Sequence, residues 1–247
     1  MTAPPAKLNP QAVAALQRAV STGRFAAFST AAAQDRELAC RLYLWDRDLA
    51  AAILRDIAIV EVALRNTLSA GLIAHLGPSW FTDRTLRIDR RLDGALTQAI
   101  DALARVNKPR TSDRIVAELS LGFWVNLLDA RGSERFWRAS LHQAFPGGRA
   151  ESAAAGARFQ RSWVLTQLRV MRFLRNRCAH HEPLINGVPL PGQAQRVTVT
   201  EGITTYLRLT RMIDRNLADW MTGDSTAAAT LTARPQPVPA APPKVQP

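Results

Sequence analysis

The dominant pattern in the chain is a recurrence of apolar residues every three or four positions, the spacing that gathers them on one side of an α-helix. It is clearest after Asp35, where Leu38, Leu42, Trp45, Leu49, Ile53, Ile57, Val60, Leu64 and Leu68 follow one another. This predicts a single long helix running to Gly77-Pro78, where glycine and proline end it. The same reading predicts helices over 9–20, 89–106, 112–128, 133–144, 157–180 and 194–221, with breaks at Pro109 and at Pro146-Gly147-Gly148. Ser79 to Arg87, which contains Trp80-Phe81, reads as a connection. No run alternates convincingly enough to be a strand, and Asn186-Gly187 predicts a tight turn with at most a small hairpin around it. The expected fold class is therefore all-α, a helical bundle.

Three segments are expected. Residues 1–20 form a leader with a short helix, 21–221 the helical domain, and 222–247 a disordered tail of Ala, Thr, Gln and Pro. Six of the 15 prolines fall between Pro235 and Pro247. No uninterrupted apolar stretch reaches the roughly 18 residues of a membrane span, and Met1 to Pro10 has no apolar core of a signal peptide, so no membrane association and a cytoplasmic location are expected.

Charge adds a partner class. The formal net charge is +12, and only Lys7, Lys108 and Lys244 are lysines, so 29 of the 32 basic residues are arginine. The flat guanidinium fork suits phosphate, and such an excess points to a polyanion such as nucleic acid; a high-GC genome enriches arginine in the same way. The two cysteines, Cys40 and Cys178, lie in apolar helical patterns and exclude a disulfide scaffold or an all-cysteine zinc site.

Two helices carry charge where apolar residues belong. On the 157–180 helix Arg175 projects at the edge of an arc formed by Val164, Leu168, Met171, Leu174 and Cys178. On the long helix Glu61 falls within the arc of Ile53, Ile57, Leu64 and Leu68, with Arg65 four residues on. A buried carboxylate and a buried guanidinium each lose hydration worth several kcal/mol, so Glu61, Arg65 and Arg175 are expected to meet in one polar pocket. A purely structural ion-pair network explains the same pattern.

Just downstream, His180 and His181 place half of the chain's four histidines side by side. Pro183 disfavours helix in the residue before it, so the helix must stop by Glu182, freeing His180 to fold back toward Arg175. Adjacent histidines also suit a metal, but neither cysteine has ligand spacing and His75 and His142 belong to other helices, so no metal and no cofactor are expected. Two ordinary surface histidines remain the plainer alternative.

Arg175-Asn176-x-x-x-His180 matches the R-N-x-x-x-H signature of the HEPN superfamily, all-helical domains many of which are metal-independent endoribonucleases. The run Leu174-Arg175-Asn176-Arg177-Cys178-Ala179-His180-His181-Glu182-Pro183 resembles more narrowly the Abi-like proteins of bacterial abortive-infection systems. So do Ile59-Val60-Glu61-Val62-Ala63-Leu64-Arg65-Asn66, Gly77-Pro78-Ser79-Trp80-Phe81 and Val116-Ala117-Glu118-Leu119-Ser120-Leu121-Gly122-Phe123-Trp124, in that order. The resemblance spans about Arg24 to Met221 and implies a HEPN-like bundle with additional helices.

What it implies chemically is RNA cleavage in which the ribose 2′-hydroxyl attacks the adjacent phosphorus and leaves a 2′,3′-cyclic phosphate. His180 suits either proton role, because its reference pKa is about 6.5. Arg175 would neutralise the phosphorane oxygens and Asn176 would orient the histidine or the RNA, with Glu61, Arg65 and His181 in support. One motif per chain implies a homodimer with a composite site. Arg169, Arg172 and Arg177 are the expected RNA contacts, joined by Arg87, Arg90 and Arg91, although any one of these also reads as an ordinary solvated helix residue. Trp80, Phe81, Phe123 and Trp124 read as core rather than as base-stacking platforms. An antitoxin or regulatory protein is a further expected partner, and a catalytically silent RNA-binding or partner-binding module is the competing function.

Overall fold

A computed structural model describes residues 9–86 and 89–237. Twelve α-helices are seen among them: α1 Pro10–Val20, α2 Thr22–Ala31, α3 Arg36–Leu76, α4 Arg90–Arg105, α5 Ser112–Glu118, α6 Leu121–Asp129, α7 Ser133–Ala139, α8 Gly148–Ala154, α9 Arg161–Ala179, α10 Val199–Ile213, α11 Arg215–Asp224 and α12 Ala227–Thr232. Short 3-10 turns at Trp80–Thr82, Arg84–Leu86 and Leu141–Ala144 link them. The only strand-like pairing among the described residues is one antiparallel bridge between Val188 and Val197, so the all-α expectation is met.

The 41-residue α3 is the axis of the bundle, about 60 Å long. It starts where the side chain of Asp35 accepts the N–H groups of Glu37 and Leu38, and it ends at Gly77, whose φ of 83° is open to glycine. Leu49, Ile53, Val60, Leu68 and Leu72 are wholly buried along it, covered by α2, α9, α10 and α12. By length and composition α3 would suffice to cross a membrane, which the search for uninterrupted apolar runs missed; here it is the central core helix. The aromatic group Trp80, Phe81, Phe123 and Trp124 is buried, with the Trp80 indole donating to Ser112 Oγ at 2.8 Å.

Several expected boundaries move, each for a local reason. The 112–128 segment is two helices, because Leu119 turns extended at ψ 126° and buries its side chain while Ser120 starts α6. Downstream, α8 was hidden by its glycines. Gly147 donates to Met212 O at 2.9 Å, and a Cβ there would lie 2.4 Å from Arg211 O. Residues 157–160 are not helical, and α9 begins only at Arg161. The last predicted helix starts late, at a capping box between Thr198 and Glu201, and is divided at Asp214, which caps α11. The unforeseen α2 packs Phe25 and Phe28 on Tyr43 of α3.

At the N-terminal end the expected short helix is α1, which sets Val13, Leu16 and Val20 against the core; the C-terminal end departs from expectation. The segment expected to be a disordered tail from residue 222 is helical through Thr232 and straps α3. The indole N–H of Trp45 donates to Thr230 O at 2.7 Å, Arg234 lies over the Trp45 ring, and Ala227 is fully buried. Composition hid this strap because its anchors lie on α3, almost two hundred positions away. Residues 238–247 of the expected tail, and Arg87, lie outside the described residues.

Candidate functional site

The chemistry singled out in the sequence gathers at the C-terminal end of α9. Its last turn closes through a left-handed cap: His180 N–H donates to Asn176 O at 2.9 Å, His181 N–H to Cys178 O at 3.1 Å, and Glu182 N–H to Arg177 O at 3.0 Å. The residue that takes the left-handed conformation is His181, with φ 54°, a position where glycine is the unstrained choice. The helix therefore stops before Pro183, as required, and both histidines are exposed beside its end.

Beyond the cap the chain is held by two charged side chains from different helices. The carboxylate of Asp46, only 6% exposed on α3, accepts the Leu184 N–H through both oxygens at 2.9 and 3.2 Å. From α9, Arg177 donates through Nε to Pro183 O at 2.7 Å and pairs with Glu182 at 3.0 Å. Gly187, with φ 72°, then turns the chain, and Val188 pairs with Val197 rather than with the Leu184-Ile185 side of the expected hairpin. A Cβ on Gly187 would stand 2.7 Å from Val197 O.

This loop forms the far wall of a groove of about 500 Å³ whose near wall is α9. Asn176, Arg177, His180 and Phe173 face Val188 and Leu190 across it. Asn176 and His180 are four residues apart, so helical spacing places them on one side. Arg175 faces the other way. Its Nε donates to Glu61 Oε1 at 2.9 Å, joining α9 to α3.

The Glu61–Arg175 pairing thus matches expectation, whereas four other expectations do not. The pair is not buried dry: the side chains are 40% and 23% exposed for Arg175 and Glu61, because they meet where α3 and α9 open to solvent. Arg65 does not join them, and its Nε is buried without a hydrogen-bond partner. His180 does not fold back onto Arg175, since its backbone N–H continues the α9 ladder to Asn176 and this directs it to the groove side. Arg177, expected as an exposed RNA contact, is 13% exposed at its side chain and holds the turn instead. Arg169 and Arg172 lie upstream on α9, the first paired with Asp129 at 2.6 Å and the second over the Phe173 ring.

Sequence reasoning missed Asp46, although the signal was present: an aspartate four residues after Leu42 and three before Leu49 sits in an apolar arc. Burial pushes its carboxyl up to about 6, opposed by the N–H groups of Leu184 and Ile185 and by the charges of Arg177 and Arg234. Burial, reinforced by Asp46, also pushes the Cys178 thiol up to about 12, so this cysteine is an inert core residue. Among the described residues, no three His, Cys, Asp or Glu side chains cluster as a metal site requires.

A family model described as Abi-like protein matches residues 24–186, from within α2 through α9 and into the clamped turn. No curated protein and no solved structure matches the chain.

Two stability predictions follow from this geometry. His181→Gly removes the side chain from a left-handed position and is expected to raise unfolding stability by about 1 kcal/mol in denaturant titration. A lower or unchanged stability would show that the ring supplies a contact worth as much as the strain. Asp46 is raised in the fold, so its neutral form is favoured there; the associated stability is present below about pH 4 and is lost as pH rises through about 6. Asp46→Asn, neutral at every pH, is therefore expected to gain on the wild type between pH 4 and 7, by up to about 3 kcal/mol. Melting curves differing by the same amount at all pH values would contradict it.

Proposed function

The chain belongs to the family of Abi-like proteins, and from that premise we propose that it is a metal-independent endoribonuclease of an abortive-infection or toxin–antitoxin system. Family membership by itself points to an abortive-infection type of function. The observation that carries the finer reading is the placement of Asn176 and His180 on one wall of an open groove, in the same helical turns of α9 as Arg175, which pairs with Glu61.

RNA can be cut there without a metal. A neutral His180 takes the proton of a ribose 2′-hydroxyl, the O2′–P bond forms, and the P–O5′ bond breaks. A protonated imidazole gives its proton to the departing 5′-oxygen, leaving a 2′,3′-cyclic phosphate. Each chain offers one such histidine at the groove, so the second comes from the same motif of a second copy in a two-fold dimer. Arg175 uses Nε on Glu61, which fixes the guanidinium plane while its terminal nitrogens remain to neutralise the phosphorane. Asn176, one turn before His180, orients the imidazole or the RNA. His181 stands at the cap beside it, and Arg177 acts by holding the groove's far wall.

A second reading, a silent RNA-binding or partner-binding module, is favoured by one feature: Arg175 is not on the groove with His180. An antitoxin or regulatory partner is compatible with both.

The test is incubation of purified protein with end-labelled RNA in EDTA. Cleavage to products ending in 2′,3′-cyclic phosphate is expected, with none from His180→Ala, an exposed position whose loss should change stability by no more than about 0.5 kcal/mol. Arg175→Ala should also be inactive and lose about 0.5–1 kcal/mol, the worth of a partly exposed pair. Full activity of His180→Ala, or dependence on added zinc or magnesium, would overturn the assignment. RNA binding without any cut would favour the silent module.

A further inference from the structure

The side of α9 that carries Asn176 and His180 continues upstream into a cluster of cations. At 100° per residue, Arg169, Arg172, Phe173, Asn176 and His180 fall within a stripe about 100° wide. Arg169 pairs with Asp129 of α6 at 2.6 Å, and Arg91 of α4 approaches the second oxygen of the same carboxylate at 3.9 Å. Arg91 also pairs at 2.9 Å with Asp89, whose other oxygen accepts the first N–H groups of α4. Among the described residues Arg172 makes no ion pair. Its guanidinium lies 5.4 Å from the centre of the Phe173 ring, and Phe173 lines the groove.

Two helices, α4 and α9, thus bring three guanidiniums to one place around the Asp129 carboxylate of α6, with less negative charge than they need. Burial holds the Arg172 guanidinium below its ordinary value, the nearby Arg169 lowers it further, and Asp129 only partly offsets them. Such a group is stabilised by an added anion, and the exposed forks of Arg91 and Arg169, 57% and 46% accessible, can donate to one.

We propose that Arg91, Arg169 and Arg172, gathered around Asp129, form a subsite for a backbone phosphate of single-stranded RNA, continuous with the groove through Phe173. The inference rests on the groove being an RNA site. It adds where the strand runs: Arg169 and His180 are eleven residues apart on one side of a helix, about 16 Å. The subsite therefore holds the strand about two to three nucleotides from the cut. Asp129 keeps the arginines from repelling one another and aims the Arg169 fork.

The test is fluorescence anisotropy of the full chain with a labelled, cleavage-resistant 2′-O-methyl RNA over a salt series. Arg91→Gln/Arg169→Gln is expected to bind about tenfold more weakly at low salt, with the slope of log K against log salt shallower by roughly 0.7 to 1.4. Arg138→Gln, an exposed arginine paired with Glu134 elsewhere, should match the wild type. Equal affinity and slope for the double variant and a wild type that binds RNA would overturn the subsite and leave the proposed function standing. A wild type that binds no RNA would overturn the proposed function and the RNA assignment together. A rise in melting temperature with inorganic phosphate, in the wild type but not the double variant, would then mark a free-phosphate site.

Discussion

Three carboxylates on α3 determine how the rest of the chain lies against it. Asp46 holds the turn after the motif through backbone N–H groups, Asp56 holds the Tyr206 hydroxyl of α10 at 2.7 Å together with Ser225 of the C-terminal strap, and Glu61 holds Arg175 of α9. Apolar burial brings these elements to α3, but it is non-directional. The carboxylates supply direction, since each accepts donors from one defined geometry. Asp46 and Asp56 are buried where a charge is costly.

The arginine excess takes on a different meaning in the fold. Arg161 joins Glu134 and the Leu128 carbonyl, Arg211 joins Glu151, Arg55 joins Asp224, and Arg177 holds Pro183 and Glu182. These are internal ties, and they explain why net charge alone could not locate a nucleic-acid surface. What remains for a polyanion is local: the part-exposed Arg175, held by Glu61 on the side of α9 turned from the groove, and the group made by Arg91, Arg169 and Arg172.

Helical periodicity made α3, α4 and most of α9 legible, because each presents a long apolar side and begins or ends at a recognisable cap or break. It failed where structure depends on distant partners. The α12 strap has an Ala- and Thr-rich sequence with little apolar pattern and is ordered by Trp45 and Asp56; α8 opens on glycines required by close approach to α10 and Phe159. At the site, the Glu61–Arg175 pair was legible from two charges in two apolar arcs. The direction of His180 was not, because it follows from a cap that continues the helix ladder through a left-handed His181. Nor was the tie of Arg177 to the turn, which depends on a chain reversal whose geometry periodicity does not encode.

The central claim is that the Asn176–His180 side of α9 acts on RNA through the substrate's own 2′-hydroxyl. The most direct test is a matched pair of RNA oligonucleotides differing only in a single 2′-deoxy sugar on the 5′ side of the mapped cut. The account predicts that the deoxy substrate binds as well as its parent and is not cut at that linkage. Cleavage there at an undiminished rate would contradict it, because the attacking group would then have to be something other than the ribose hydroxyl.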